Sequence, residues 1–233
     1  MANTITFVSL GPGEPELITL KGLKTLKEAD IIYCPSTTLK NTKVSSRALD
    51  ILLALDIDQA KVQLFDVPMS KDRTLALASY AAVSKLIHQA YLEGKNVAVT
   101  AEGDAGFYSS SHYIIDNLKR DGVVVDKIPG VPAFISAGAL AHIHIAMQEE
   151  ELHVVPGVIT TSDLVDKIEK HRAVVIMKAS QSAEDIKQAI HKAPQSTFHY
   201  FENVGLDTEY YTTDTEEIIN RKFPYFSLLI IKS

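Results

Sequence analysis

Apolar and polar positions alternate along the first half of the chain in a way that separates short strands from longer helices. Four apolar runs have the length and composition of buried strands, and each is followed by a segment whose apolar residues recur at helical spacing. This order predicts a parallel sheet whose strands are joined by crossover helices. The predicted strands are 4–10, 30–34, 61–66 and 96–100, and the predicted helices are 15–28, 43–55, 71–92 and 106–120.

The second half of the chain is richer in strands. Tyr200-Phe201 and Tyr210-Tyr211 flank the turn-forming stretch 203–205, which is typical of antiparallel pairing, so we expect a mixed sheet there. The predicted strands are 123–128, 151–155, 173–177, 196–201, 207–213 and 225–231, and the predicted helices are 133–145, 161–170, 181–191 and 214–220.

The polar turn Asp121-Gly122 lies where one pattern gives way to the other. Segments that change in pattern across a polar turn are typical of a domain boundary. We therefore predict an α/β protein with an N-terminal α/β domain at 1–121 and a C-terminal α/β domain at 122–233.

Three turns rich in glycine and proline carry the strongest functional signal. They span 10–15, 102–107 and 129–133, and each follows a predicted strand and precedes a predicted helix. Because the carboxyl ends of parallel strands meet at one edge of a sheet, the three turns are expected to converge on one small molecule. We expect the binding site in the cleft between the two domains.

The sequence of the first turn argues against two common ligands. A dinucleotide fingerprint needs a third glycine where this chain has Glu16, and a nucleotide-binding P-loop needs a lysine that does not occur before Lys21. Nicotinamide cofactors and nucleoside triphosphates are therefore disfavoured. The second turn has more chemical content, because Gly103 lets a ligand approach the backbone and the Asp104 carboxylate can accept a hydrogen bond. The alternative is that Asp104 is only a helix N-cap.

Composition and charge exclude further classes of protein and of binding partner. The chain has 233 residues, 46% of them hydrophobic, and a net charge of −6, which disfavours nucleic acid as a partner. Its only cysteine, Cys34, excludes an internal disulfide and a multi-cysteine metal site, and the histidines lack metal-ligand spacing. No apolar run approaches a membrane span and the start of the chain lacks a basic signal segment, so we expect a cytoplasmic protein without a membrane partner.

The same three turns resemble the signatures of the tetrapyrrole methylase family, S-adenosylmethionine-dependent enzymes of cobalamin and sirohaem synthesis. The resemblance spans nearly the whole chain. Its three signatures are similar to 8–21, 101–110 and 128–134. Further stretches are most similar to the branch that methylates C20 of precorrin-2 or its cobalt complex, namely 67–72, 107–110, 202–205 and 225–229.

This chain departs from the family pattern at three positions. Ser9 stands where the family often has glycine, Glu14 where it commonly has aspartate, and Ala105 where it usually has proline. The first two departures are expected to alter contacts with the tetrapyrrole. The third is expected to change the stiffness of the second turn.

The resemblance implies two α/β domains, a parallel-rich N-terminal sheet and a mixed C-terminal sheet, with the active site in the interdomain cleft and usually a homodimer. It implies methyl transfer from S-adenosylmethionine to C20 of precorrin-2 or cobalt-precorrin-2, with S-adenosylhomocysteine as product. The cofactor contacts that it implies are Pro12, Gly103, Asp104, Phe107, Pro132, Ala133, Met177, Val204 and Ser227.

A tetrapyrrole carries many carboxylates, so a chain of net charge −6 must concentrate cations locally. Candidates for tetrapyrrole binding are Lys40, Lys43, Arg47, Lys71 and Arg73, although each alone is more typical of a solvated surface. Candidates for proton transfer are Tyr108, His112 and His142, and for each of them a structural role stays open. No metal bound by protein side chains is expected.

Three alternatives stay open at this point. The chain could be a methylase of the same family that acts at another position, on uroporphyrinogen III, on a later precorrin or on a modified histidine of a protein. It could be a noncatalytic tetrapyrrole carrier. A nicotinamide oxidoreductase is the third alternative, although the first turn disfavours it.

Overall fold

A computed structural model describes residues 3–38, 44–68, 73–170 and 173–233 of the chain. It divides into two compact units, Met1–Pro132 and Ala133–Ser233. In the described ranges, none of the helices is both long and apolar enough to cross a lipid bilayer.

The first unit is built around a predominantly parallel sheet. Its strands are β1 (Ile5–Ser9), β2 (Ile31–Thr38), β3 (Val44–Ser45), β4 (Val62–Asp66), β5 (Val97–Ala101) and β6 (Asp126–Ile128). Its helices are α1 (Leu20–Glu28), α2 (Arg47–Ala54), α3 (Arg73–Leu92) and α4 (Ser111–Arg120), with short 3₁₀ turns at Pro15–Leu17 and Gln59–Lys61. The order β3-β2-β5-β1-β6, with β4 also pairing β2, is parallel except for the antiparallel pair β2 and β3.

Strands β1 and β5 lie at the centre of this sheet, and every residue of both strands is buried. Burial on both faces is typical of a parallel sheet that is covered by helices on both sides. Phe7 of β1 belongs to the core under α3 and α4, whereas Val8 belongs to the core under α1 and α2. The side-chain alternation of one strand thus fills two separate helical layers.

The second unit contains a mixed sheet. Its strands are β7 (Leu152–Val155), β8 (Ala173–Met177), β9 (Thr197–Glu202), β10 (Tyr210–Thr212) and β11 (Ser227–Lys232). Its helices are α5 (Ala133–Leu140), α6 (Thr161–Lys170), α7 (Ala183–Lys192) and α8 (Thr215–Asn220), with a 3₁₀ turn at Ala179–Ser182. The strand order is β10-β9-β11-β8-β7, in which only β7 and β8 are parallel.

These elements confirm the predicted α/β class with one parallel-rich and one mixed sheet. The antiparallel hairpin is confirmed as well, because Phe201 of β9 faces Tyr211 of β10. The division between the units falls after Pro132 rather than after residue 121. The physical reason is that β6 adds to the first sheet, where Val8 pairs with Ile128.

Some predicted helices begin later or end earlier than their apolar periodicity suggests. The segment 15–28 is interrupted at Ile18, whose backbone is extended, and α1 then starts after Thr19, whose hydroxyl accepts the Gly22 N–H at 3.1 Å. Helix α5 ends at Leu140 because His142 adopts a left-handed conformation with φ of 53°.

Candidate functional site

The three turns rich in glycine and proline follow the ends of β1, β5 and β6. These strands are parallel neighbours, with Val8 paired to both Thr100 and Ile128. Their carboxyl ends therefore lie at one edge of the first sheet, as the sequence pattern predicts. The third turn ends at residue 132, because Ala133 begins α5. We call the segments 10–15, 102–107 and 129–132 the first, second and third turns of the site.

Backbone hydrogen bonds join the first turn to the second. Gly11 N–H donates to the Gly103 carbonyl at 3.1 Å, and Gly103 N–H donates to the Gly11 carbonyl at 2.7 Å. Both glycines have positive φ angles, 82° and 67°, which residues with a side chain adopt only with strain. A Cβ atom placed on Gly103 would meet no neighbouring atom within 4 Å. The Gly103 backbone therefore faces open space that a ligand can occupy.

Two side chains tie the third turn to the others. Ser9 Oγ donates to the Ile128 carbonyl at 2.7 Å and accepts from Ala105 N–H at 2.8 Å. Asp104 Oδ2 accepts from Gly130 N–H at 2.7 Å, while its Oδ1 accepts from Gly106 N–H at 2.7 Å. One carboxylate thus holds the backbone of two different turns.

These contacts bear on the sequence interpretation at two positions. Asp104 is not the N-cap of α4, which starts only at Ser111, and both of its carboxylate oxygens already have backbone partners. Ser9 is completely buried and its hydroxyl links the ends of strands, while an effect of Ser9 on tetrapyrrole contacts remains a prediction. A contact of Asp104 with the cofactor remains a prediction.

Gly130 lies where the three turns are packed most closely. A Cβ atom at this position would be 2.5 Å from Ser9 Cβ and 2.8 Å from the Gly103 carbonyl oxygen. The second of these atoms belongs to the backbone and cannot rotate away. Gly130 is therefore required for close packing, whereas Gly103 is required for its backbone conformation.

An ion pair lies beside the first two turns. Arg47, a predicted tetrapyrrole ligand at the start of α2, places Nε 3.9 Å from Glu102 Oε2 and donates from Nη2 to the Pro12 carbonyl at 3.4 Å. Desolvation raises the pKa of the Glu102 carboxyl above its ordinary value of 4.5, and the Arg47 guanidinium opposes that rise. Glu102 was not among the predicted site residues, although its position directly before Gly103 is a signal that could have identified it.

Arg47 therefore contacts the turns themselves. Its side chain is largely buried, and its desolvation lowers the pKa of the guanidinium while Glu102 raises it. Tetrapyrrole binding by Arg47 remains a prediction. Lys40, Lys43 and Lys71 lie outside the described residues.

The aromatic end of the second turn is exposed. Phe107 packs edge to face against Tyr108, with ring centroids 4.6 Å apart, and Tyr108 has a φ of 50°. His112 Nδ1 lies 2.9 Å from the Ser109 carbonyl oxygen, so one ring nitrogen has a local backbone partner. These positions keep Tyr108 and His112 as candidates without assigning a proton acceptor.

Arg73 lies at the start of α3, over a tyrosine of α4. Its guanidinium carbon is 5.6 Å from the centroid of the Tyr113 ring, and Nη2 lies 3.5 Å from the Tyr113 hydroxyl. The ring of His112 contacts the same tyrosine, with centroids 3.9 Å apart. Arg73 and His112 thus belong to one exposed group of side chains in the first unit.

Three predicted cofactor contacts lie at one end of the sheet in the second unit. Met177 ends β8 and pairs with Leu228, while the adjacent Ser227 pairs with Glu202 at the end of β9. The buried Val204 lies in the turn that follows Glu202. The structure therefore brings Met177, Val204 and Ser227 to the same end of this sheet.

The remaining two predicted contacts, Pro132 and Ala133, are the last residue of the first unit and the first residue of α5.

Throughout the part of the chain that the structure describes, histidine, cysteine, aspartate and glutamate form no group of three that could hold a metal ion.

Comparison with known proteins identifies the class to which this site belongs. The family model of tetrapyrrole (corrin/porphyrin) methylases matches residues 4–219. The match spans both units and includes all three turns. The chain belongs to the tetrapyrrole methylase family.

Two relatives that are similar to this chain are named as C(20)-methyltransferases. A precorrin-2 C(20)-methyltransferase of Sinorhizobium sp is 26% identical over 233 residues, which cover 96% of this chain and 93% of that protein. A cobalt-precorrin-2 C(20)-methyltransferase of Salmonella typhimurium is 27% identical over 188 residues, or 80% of this chain and 77% of that protein.

A solved structure shows the same fold. The uroporphyrin-III C-methyl transferase of Thermus thermophilus, in complex with S-adenosyl homocysteine, superposes with a TM-score of 0.68. The superposition covers 99% of this chain and 98% of that chain at 19% sequence identity. The architecture is thus retained where most side chains differ.

Replacement of Gly130 tests the packing of the three turns. Gly130→Ala is expected to lower the free energy of unfolding by about 1–3 kcal/mol, because its methyl group would overlap the Gly103 carbonyl oxygen and force the turns apart. Urea denaturation of the variant and the wild type measures the difference.

Gly94→Ala is the control for this experiment. Gly94 has a φ of 85° but open space around an added Cβ, so only the backbone conformation is strained there. A loss of about 1 kcal/mol is expected for this variant. Equal stability of Gly130→Ala and the wild type would contradict the packing described above.

The raised pKa of Glu102 predicts a pH-dependent contribution to stability. Since the folded protein holds this proton more tightly than the unfolded chain does, the contribution is complete below pH 4.5 and is lost as the pH rises through the raised pKa. Glu102→Gln removes the titration. The wild-type stability minus that of Glu102→Gln should therefore fall with rising pH in a series of denaturation experiments, and a pH-independent difference would refute the assignment.

Proposed function

We propose that this protein transfers a methyl group from S-adenosylmethionine to C20 of precorrin-2 or cobalt-precorrin-2 in cobalamin biosynthesis. The observation that carries the proposal is the match to a precorrin-2 C(20)-methyltransferase over 96% of this chain and 93% of that protein. The cobalt-precorrin-2 relative supports the same carbon and leaves both metal states of the substrate in the proposal.

The first unit fits the proposed cofactor. Gly103 presents its backbone to open space, and the hydrogen bonds of Gly11, Ser9 and Asp104 fix the surrounding turns. Such a rigid backbone surface suits an adenosine-containing ligand that is held by backbone groups and apolar contacts. We assign cofactor binding to Pro12, Gly103, Asp104, Phe107, Pro132, Ala133, Met177, Val204 and Ser227.

S-adenosylmethionine supplies a methyl group on a sulfonium, which leaves as a neutral thioether. The protein therefore needs no covalent nucleophile, and its main task is to hold the two reactants at attack distance. Correct orientation of the reactants lowers the activation barrier by roughly 7–11 kcal/mol. This effect is larger than that of a single general base, which accelerates a reaction about 10²–10⁴-fold. The fixed turns are suited to this task because each is hydrogen-bonded to its neighbours.

We assign tetrapyrrole binding to Lys40, Lys43, Arg47, Lys71 and Arg73. Arg73 is the better of the two described candidates, because its exposed guanidinium has room for a carboxylate. Arg47 is largely buried beside Glu102 and the first turn. If Arg47 binds the substrate, its guanidinium must do so while it keeps its hydrogen bond to the Pro12 carbonyl of the first turn.

We also propose that the protein is cytoplasmic and, as its resemblance to the family implies, a homodimer. Sedimentation equilibrium of the purified chain decides the assembly, and a monomer would overturn it. Fractionation of the source cells decides the compartment.

The proposed reaction is tested by single-turnover mass spectrometry with methyl-labelled S-adenosylmethionine. Metal-free precorrin-2 and its cobalt complex are supplied in separate reactions, and NMR locates the transferred carbon. We expect one label at C20. Transfer to another carbon would instead indicate a different member of the family.

A tetrapyrrole carrier and a nicotinamide oxidoreductase would each behave differently in binding measurements on the same protein. Tetrapyrrole binding without any binding of S-adenosylmethionine would indicate a carrier. Binding of a nicotinamide cofactor in place of S-adenosylmethionine would indicate an oxidoreductase. Either result would overturn the methylase proposal.

Asp104→Ala tests the contribution of the second turn to cofactor binding. The substitution leaves the N–H groups of Gly106 and Gly130 without their acceptor, so the turns relax away from the binding geometry. We expect the Kd of S-adenosylhomocysteine to rise about tenfold or more, with an unchanged circular dichroism spectrum. The exposed Asp116→Ala is the matched control. Equal affinities of Asp104→Ala and the wild type would remove Asp104 from the site.

A further inference from the structure

A charged hydrogen-bond network lies at the end of β9 in the second unit. Glu202 Oε1 accepts from Arg221 Nε at 2.6 Å and from the Tyr200 hydroxyl at 2.7 Å. The Glu202 side chain is only 12% exposed, against 30% for Arg221. A carboxylate with so little access to water is stable only when it is paired.

Arg221 is itself held from several sides. Its guanidinium carbon lies 3.6 Å from the centroid of the Tyr210 ring, and its Nη1 is 3.6 Å from Glu217 Oε1. The Tyr210 hydroxyl donates to Glu217, which also accepts from Thr212 Oγ1 at 2.9 Å. Contacts with β10 and α8 therefore fix the orientation of the guanidinium that pairs with Glu202.

The turn after Glu202 carries a conformation that needs such support. Asn203 has a φ of 49° and Gly205 a φ of 81°, and Val204 between them is buried. Asn203 N–H donates to the Phe226 carbonyl at 2.9 Å, directly before Ser227. Positive φ at Asn203 costs conformational energy, so the surrounding contacts must hold the turn in place.

We propose that the Glu202–Arg221 pair is a positioning pair that fixes the turn 203–205 and the adjacent Ser227 for binding of the S-adenosyl cofactor. The pair acts through its neighbours, because Glu202 begins the turn and is the cross-strand partner of Ser227. The inference rests on the proposed function, which assigns cofactor contacts to Val204 and Ser227.

The same sheet supplies a matched control. Lys232 Nζ lies 2.6 Å from Glu150 Oε2, and the two side chains are 19% and 14% exposed. Lys232 pairs with Ala173 and Thr197, at the first residues of β8 and β9. This second ion pair is thus similar in distance and also partly buried, but it lies at the opposite end of β11 from Ser227.

The test compares Arg221→Met with Lys232→Met. Both substitutions leave a buried carboxylate without its cation, so both are expected to lower the melting temperature. Only Arg221→Met is expected to raise the Kd of S-adenosylhomocysteine, on the order of tenfold by titration calorimetry, because only that pair adjoins the turn. Arg221→Lys keeps the charge without the planar fork and should restore part of the affinity.

Steady-state kinetics provide a second measurement. In Arg221→Met the KM for S-adenosylmethionine should rise, while the KM for the tetrapyrrole and kcat at saturating cofactor stay close to wild type. A purely structural role would lower the melting temperature and leave the affinity unchanged, or would weaken binding equally in both methionine variants. Either outcome would overturn the inference. A wild-type protein that binds no S-adenosylhomocysteine would overturn the proposed function itself, which separates the two failures.

Discussion

The candidate site depends most on the two hydrogen bonds that the Asp104 carboxylate accepts. Parallel strands stop sharing backbone hydrogen bonds where they end, so the N–H groups of the following turns need other acceptors. Asp104 supplies one oxygen to Gly106 and the other to Gly130, and the Ser9 hydroxyl at the end of β1 links Ala105 of the second turn to Ile128 at the end of β6. Three separate chain segments become one rigid edge by this means.

The rigid edge explains why glycine has two opposite uses here. At Gly130 the neighbouring turns leave no room for a side chain, whereas at Gly103 the backbone adopts a positive φ and faces open space. Close packing on one side thus permits an accessible backbone on the other. In the second unit, charged groups lie beside a turn with positive φ, because the Glu202–Arg221 ion pair adjoins the turn that contains Asn203.

Much of the fold followed from local sequence pattern, but pairing between distant segments did not. The aromatic pairs Tyr200-Phe201 and Tyr210-Tyr211, which flank the turn 203–205, identified the hairpin of β9 and β10 correctly. The short β6 was recognised as a strand, but its pairing with β1 in the first sheet was not predicted, because β1 lies more than a hundred residues earlier. The apolar periodicity also overran α5, since a left-handed His142 ends a helix without changing hydropathy.

The sequence by itself determined the order of the strands and helices apart from the short β3, which lies within the predicted helix 43–55, together with the three turns and the family, because periodicity and glycine position are local properties of the chain. Only the tertiary structure decided the partners of the carboxylates in the second turn and at the end of β9. The partner of Asp104 is Gly130, that of Glu102 is Arg47, and that of Glu202 is Arg221. A hydrogen bond or ion pair requires two groups to meet within a few ångströms, and that distance depends on how the strands are ordered in the sheet.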